Sequence, residues 1–140
     1  MPGFGLPGGD AVPSVLAGDD ANAKAKRSSN RSLKGTYGIK FVGQSLAGGP
    51  FASVSRITFD GNGTFTTVEV GRFNGEPVER TFTGPYTVHE DCTGFLDFSS
   101  TITDPPHEAH GNFVIVDGGN EFDVVDNEHG WAANGVGKKM

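Results

Sequence analysis

The chain has 140 residues, a formal net charge of −6, 22 glycines and 11 phenylalanines, enough for one domain around one core. From Leu33 onward seven basic residues stand against fourteen acidic ones, a surface that repels phosphate backbones and argues against nucleic-acid binding. No stretch reaches the ~20 apolar residues of a membrane span, and a single cysteine, Cys92, excludes an internal disulfide or a cysteine-rich zinc site.

Residues 1–31 differ from the rest. MPGFGLPGG is rich in chain breakers, AVPSVLAG is a short apolar stretch, and GDDANAKAKRSSNR is small and polar. This composition predicts a disordered or loosely attached tail, followed by one domain over 32–140. Val15-Leu16-Ala17 reads as the remnant of an export signal cleaved after Ala17. That makes the protein secreted or periplasmic; without such processing it is cytoplasmic. Lys24, Lys26, Arg27 and Arg31 read as a solvated basic patch.

No window of a dozen residues keeps a 3.6 period. Instead, eight runs read as strands, at 33–42, 51–60, 64–73, 77–88, 92–103, 109–117, 120–126 and 131–138. Gly61-Asn62-Gly63 predicts a three-residue hairpin loop, a type I turn with Gly63 in the left-handed position. It sets Phe59 opposite Phe65, Ile57 opposite Thr67 and Ser55 opposite Glu69. Asn74-Gly75 predicts a type I′ hairpin, which sets Glu69 against Arg80 and Thr67 against Phe82. His89-Glu90-Asp91, read as a three-residue loop, pairs Phe82 with Phe98, Gly84 with Leu96 and Arg80 with Ser100. Gly118-Gly119 pairs Ile115 with Phe122 and Phe113 with Val124.

Each turn brings apolar residues together on one face, and a slip by one residue would scatter them. Eight antiparallel strands in sequence leave two edges, and closure of the last strand onto the first removes both. The expectation is an all-β, eight-stranded antiparallel up-and-down β-barrel. Such a barrel is filled by side chains or holds one small ligand.

The inward face combines aromatic residues with a polar belt, Ser55, Glu69, Arg80 and Ser100. Buried Glu and Arg are costly unless paired. They therefore form either a closed salt bridge that plugs the barrel or the polar anchor of a small-molecule site. In the second case Arg80 holds a carboxylate or carbonyl oxygen and Glu69 accepts a hydrogen bond or serves as general base. The candidate ligand-binding set is Tyr37, Phe41, Ser55, Glu69, Arg80, Phe82, Tyr86, Phe98, Ser100 and Trp131, with Glu69 and Arg80 catalytic if the protein is an enzyme.

Strand order gathers loops 43–50, 74–76, 104–108 and 127–130 on one rim, the expected mouth, with His107, His110, His129, Asp104, Glu108, Asp126 and Glu128. His107-Glu108-Ala109-His110 has three-residue spacing and follows Pro105-Pro106, unlike the helical four-residue spacing of zinc proteases. No metal and no cofactor is expected, since nucleophile-elbow, phosphate-loop and dinucleotide motifs are all absent.

Leu33-Lys34-Gly35-Thr36-Tyr37, Ile57-Thr58-Phe59-Asp60-Gly61-Asn62-Gly63, and Thr83-Gly84-Pro85-Tyr86-Thr87-Val88 with Asp91-Cys92-Thr93-Gly94 resemble a set of small exported bacterial proteins of unknown function. The topology is similar to lipocalin-like and allene oxide cyclase-like barrels, and Gly35-Thr36-Tyr37 sits where lipocalins carry Gly-x-Trp. The resemblance implies the barrel fold, and the inward face suggests a cavity for a small apolar or amphipathic molecule. Three functions stay open: a binding barrel, a cofactor-independent cyclase or isomerase that folds a flexible substrate, and a filled structural or interaction barrel. Nothing in the pattern reads the oligomeric state.

Overall fold

A computed structural model describes residues 27–101 and 108–140. Its strands are β1 Lys34–Ser45, β2 Gly49–Asp60, β3 Thr64–Phe73, β4 Glu76–Val88, β5 Thr93–Asp97, β6 His110–Val116, β7 Glu121–Asp126 and β8 Trp131–Lys139. Each pairs antiparallel with the next, and β8 closes onto β1, from Tyr37 opposite Lys139 to Ser45 opposite Trp131. The barrel has eight strands and no free edge.

Turn chemistry sets the register at most corners. Phe59 faces Phe65, Ser55 faces Glu69, Glu69 faces Arg80 and Ile115 faces Phe122, as expected. Asn74 and Gly75 have φ of 52° and 84°, the two positive values of a type I′ turn. The Gly61 loop departs from the expected type I geometry, because Gly61 itself has φ of 81°. There the Asp60 carboxylate accepts N–H groups from Asn62 at 2.7 Å and Thr64 at 3.0 Å. This local cap bends the loop differently but leaves the strands in register.

The β4–β5 corner corrects the sequence reading. Val88 pairs with Gly94 and Tyr86 with Leu96, a shift of two residues that keeps every side chain on its face. Asp91 accepts both the Thr93 N–H at 3.0 Å and the Thr93 hydroxyl at 2.6 Å. Cys92 takes a left-handed φ of 73°, so the loop closes on Thr93 and Cys92 never enters the strand. Consequently Arg80 does not pair with Ser100. β5 ends at Asp97, and Ser99–Thr101 form a 3-10 turn. The first hairpin is also tighter than expected, with Ser45 opposite Gly49.

The core occupies one end. Tyr37, Phe59, Phe65, Tyr86 and Phe122 are each at most 2% exposed. Phe59 meets Tyr37, Tyr86 and Phe122 edge-on at ring separations of 5.5, 4.9 and 5.4 Å, the favourable quadrupole geometry. A turn over Asn30–Ser32 seals this end. Asn30 Oδ1 accepts the Val88 N–H at 2.8 Å, and the Tyr86 hydroxyl donates towards the carbonyls of Asn30 and Leu33. Ser28 is buried, its Oγ 2.9 Å from Cys92 Sγ. Residues 28–31, assigned to the tail on composition, therefore belong to the closed end. The export stretch, Lys24, Lys26, Asp104 and His107 lie outside the described residues. No described helix is long and apolar enough to cross a membrane.

Candidate functional site

The other half of the barrel holds a pocket of about 130 Å³. Its position follows from strand direction, because β1, β3, β5 and β7 all run towards the rim that carries 46–48, 74–75, 98–101, 108–109 and 127–130. Two aromatic walls flank it. On one side Trp131 lies 5.6 Å from Phe51, and Phe41 lies 6.2 Å from Phe51. On the other, Phe82 lies 6.0 Å from Phe65 and 6.1 Å from Phe98. Ile57, Leu96, Phe122 and Val124 form the floor against the packed core.

Polar groups enter between the walls. Glu69, 6% exposed, receives Arg80 through Nε at 2.8 Å and Nη2 at 2.6 Å, both on Oε1. Its second oxygen accepts the Ser53 hydroxyl at 2.9 Å. Arg80 is 40% exposed along its side chain and passes 5.9 Å from the centre of the Phe82 ring. The pair is thus anchored inside and solvated outside. Its charges cancel, which lets a carboxylate sit in an apolar lumen.

Two further groups lack such balance. Thr67 lines the pocket, is 4% exposed, and its hydroxyl oxygen has no hydrogen-bond partner. Asp126, at the end of β7, has its carboxyl pushed up to about 6 by burial. The charge of Glu128 adds to the rise; the Glu128 N–H at 2.6 Å and the charge of Arg80 oppose it. A buried polar group without a partner is uncommon and expensive. A carboxyl that titrates near neutrality in a cleft is a frequent mark of a functional site.

Of the expected site residues, the fold brings Phe41, Ser55, Glu69, Arg80, Phe82, Phe98 and Trp131 to this pocket. Tyr37 and Tyr86 do not line it. Both lie in the sealed half, where Tyr37 donates to the Gly119 carbonyl and burial pushes both phenols up. Ser100 is exposed and donates to the Thr83 carbonyl at 3.3 Å, so the belt across β2, β3 and β4 stops at Arg80. Among the described residues no three His, Cys, Asp or Glu side chains gather as a metal set, and His110 faces Asp97 at 3.8 Å.

Sequence reasoning did not single out Ser53, named Thr67 only as a register partner and Asp126 only at the mouth, and left all three out of the site. It read directly opposed residues as partners, whereas barrel stagger makes the diagonal contact count. Glu69 reaches Ser53 and not Ser55.

No family model matches the chain, and no curated protein matches it. A solved redesigned β-barrel is similar to it with a TM-score of 0.50 and 15% identity, covering 79% of this chain and 94% of that one. At that identity the likeness carries the eight-stranded antiparallel barrel alone.

Proposed function

We propose that the open half of the barrel binds one small molecule with an apolar body and a polar head. The observation that carries this reading is Thr67, a buried, unpartnered hydroxyl on the wall of an aromatic pocket. A barrel filled for structure alone would be expected to satisfy or replace such a group. The volume of about 130 Å³ compares with an engineered cavity of about 150 Å³ that accepts benzene. The buried part of the ligand is therefore about one ring in size, and anything longer extends through the mouth.

The test is a fragment screen by two-dimensional NMR, comparing the wild type with Ser55→Leu, which adds apolar bulk to the pocket. Fragments of one ring should shift the resonances of Thr67, Phe82 and Trp131 in the wild type and not in the variant. A folded wild type that no fragment perturbs at these positions supports the filled, structural reading instead.

An enzymatic reading has its own support in Asp126. A carboxyl near 6 exchanges protons readily at neutral pH, and the pocket would orient a flexible substrate against it. In that reading Asp126, rather than the neutralised Glu69–Arg80 pair, is the acid or base. Turnover of a candidate substrate abolished in Asp126→Asn, with binding retained, is the result that favours it.

A further inference from the structure

We propose that a second copy of this chain docks on the outer face of β1–β3, forming a two-fold dimer whose axis runs between β2 and β3, parallel to the strands. The face lies outside the barrel, so the inference stands apart from the pocket reading.

Closure leaves no strand edge for a partner to extend, and a second copy can add only face to face. The outer face of β1–β3 is apolar at its centre. Val54 is 61% exposed and stands directly opposite Val70, itself 50% exposed. Val42 pairs with Ala52 to one side of them, and Val68, opposite Arg56, lies to the other. A shallow groove runs between Val42, Ala52, Val54 and Val70. Exposed apolar side chains gathered in one place mark an interaction surface, whereas singly scattered ones do not.

Charge identifies the occupant. The central row of cross-strand neighbours reads Lys40, Val54, Val70, Glu79 across β1 to β4, a cation and an anion at its ends with valines between. Among the described residues neither Lys40 nor Glu79 forms an ion pair. Such a row is complementary to itself reversed. A second copy turned by a half rotation about the strand direction sets each Lys40 towards the other copy's Glu79. It also sets each Val54 against the other copy's Val70, the isologous pairing of a two-fold dimer. The barrel curves away at β1 and β4, where these long side chains span the wider gap. The remaining cations of the face are compatible with this arrangement. Arg72 is turned back onto the Gly75 carbonyl at 3.3 Å. Arg56 falls against the other copy's Val68, where its methylene stem covers apolar surface. With the axis across the strands instead, Lys40 would meet Lys40 and Glu79 would meet Glu79, so charge selects the first orientation.

The test is sedimentation velocity on the full chain at about 100 μM and low salt, where a dimer is expected. Val54→Asp should weaken it at least ~100-fold. Val54 is 61% exposed, so the variant should keep its fold, which thermal unfolding checks. Lys40→Glu and Glu79→Lys should each weaken the dimer about 10-fold, because each sets like charges together twice. Mixed in equal amounts, the two charge variants should form a heterodimer within about 3-fold of wild-type affinity, since every facing pair is opposite again. Misfolding of either variant could not produce that recovery.

A dimer that tolerates Val54→Asp, or charge variants that fail to recover on mixing, places the contact on another face and overturns the proposal. A monomeric wild type overturns it as well. A soluble paramagnetic agent then shows by NMR whether Val54 and Val70 stand open to solvent or are covered by residues 1–26, and either result leaves no place for a second copy.

Discussion

Asp126 sets the pH behaviour of the fold as well as of the site. Its carboxyl stands at about 6 in the folded chain against an ordinary 3.8, so between these values the folded state holds a proton that the unfolded chain has released. The stability from this group is full below about 3.8, declines as pH rises to about 6 and stays reduced above it. After allowance for partial solvent contact, the deficit at neutral pH is of the order of 2 kcal/mol. Asp126→Asn should therefore raise the urea-unfolding free energy by that amount at pH 7.5 and leave it unchanged near pH 3.5. Equal stability of the two proteins at pH 7.5 would show that Asp126 is solvated. Asp91 and Asp97 act with the opposite sign. Side-chain hydrogen bonds from Thr93 and Ser99 hold them low, so their contributions are lost only in stronger acid. Strand order alone put residue 126 at the mouth, but its titration depends on depth and on Arg80 and Glu128, which are distant or unpatterned in the chain.

At the scale of the hairpin, Gly71 links register to chemistry. A Cβ at this position would lie 2.3 Å from the Ala52 carbonyl oxygen and 2.6 Å from Ser53 Cβ. The bare backbone of β3 lets Ser53 lean inward and reach Glu69 at 2.9 Å. Gly71→Ala should destabilise by about 3 kcal/mol, measured by urea unfolding, and the Ser53 hydroxyl proton should lose its protection from exchange. A loss below ~0.5 kcal/mol would mean that the strands slide apart at no penalty. The hairpins were legible wherever turn residues dictate geometry, as at Asn74-Gly75. They were misread where a side chain intervenes. Asp91 captures Thr93, and no dipeptide preference reveals that capture, so β5 shifted and Ser100 left the site.

The whole barrel has two unlike halves, one packed and one open. Phe59 sits among four aromatic rings at 1% exposure, while Phe98 lines the pocket and is only partly buried. Phe59→Ala should cost about 4 kcal/mol and Phe98→Ala less than half of that. Comparable losses in urea denaturation would indicate that the mouth is as tightly packed as the sealed end. The sealed end also depends on Asn30 and Ser28, whose polar composition suggests a loose tail until their partners Val88, Tyr86 and Cys92 are placed.

Alternation with a period of two, interrupted by Asn-Gly and Gly-rich corners, was enough to determine eight antiparallel strands, their closure and the inward face. These are local properties, because a strand needs only its own pattern and its own turn. Which polar groups meet inside, which end is plugged, and which carboxyl is raised by burial were decided by tertiary structure. Strand stagger, loop capture and burial depth bring together residues that lie far apart in the chain, and the pairing of those charges depends on distances that no single segment encodes.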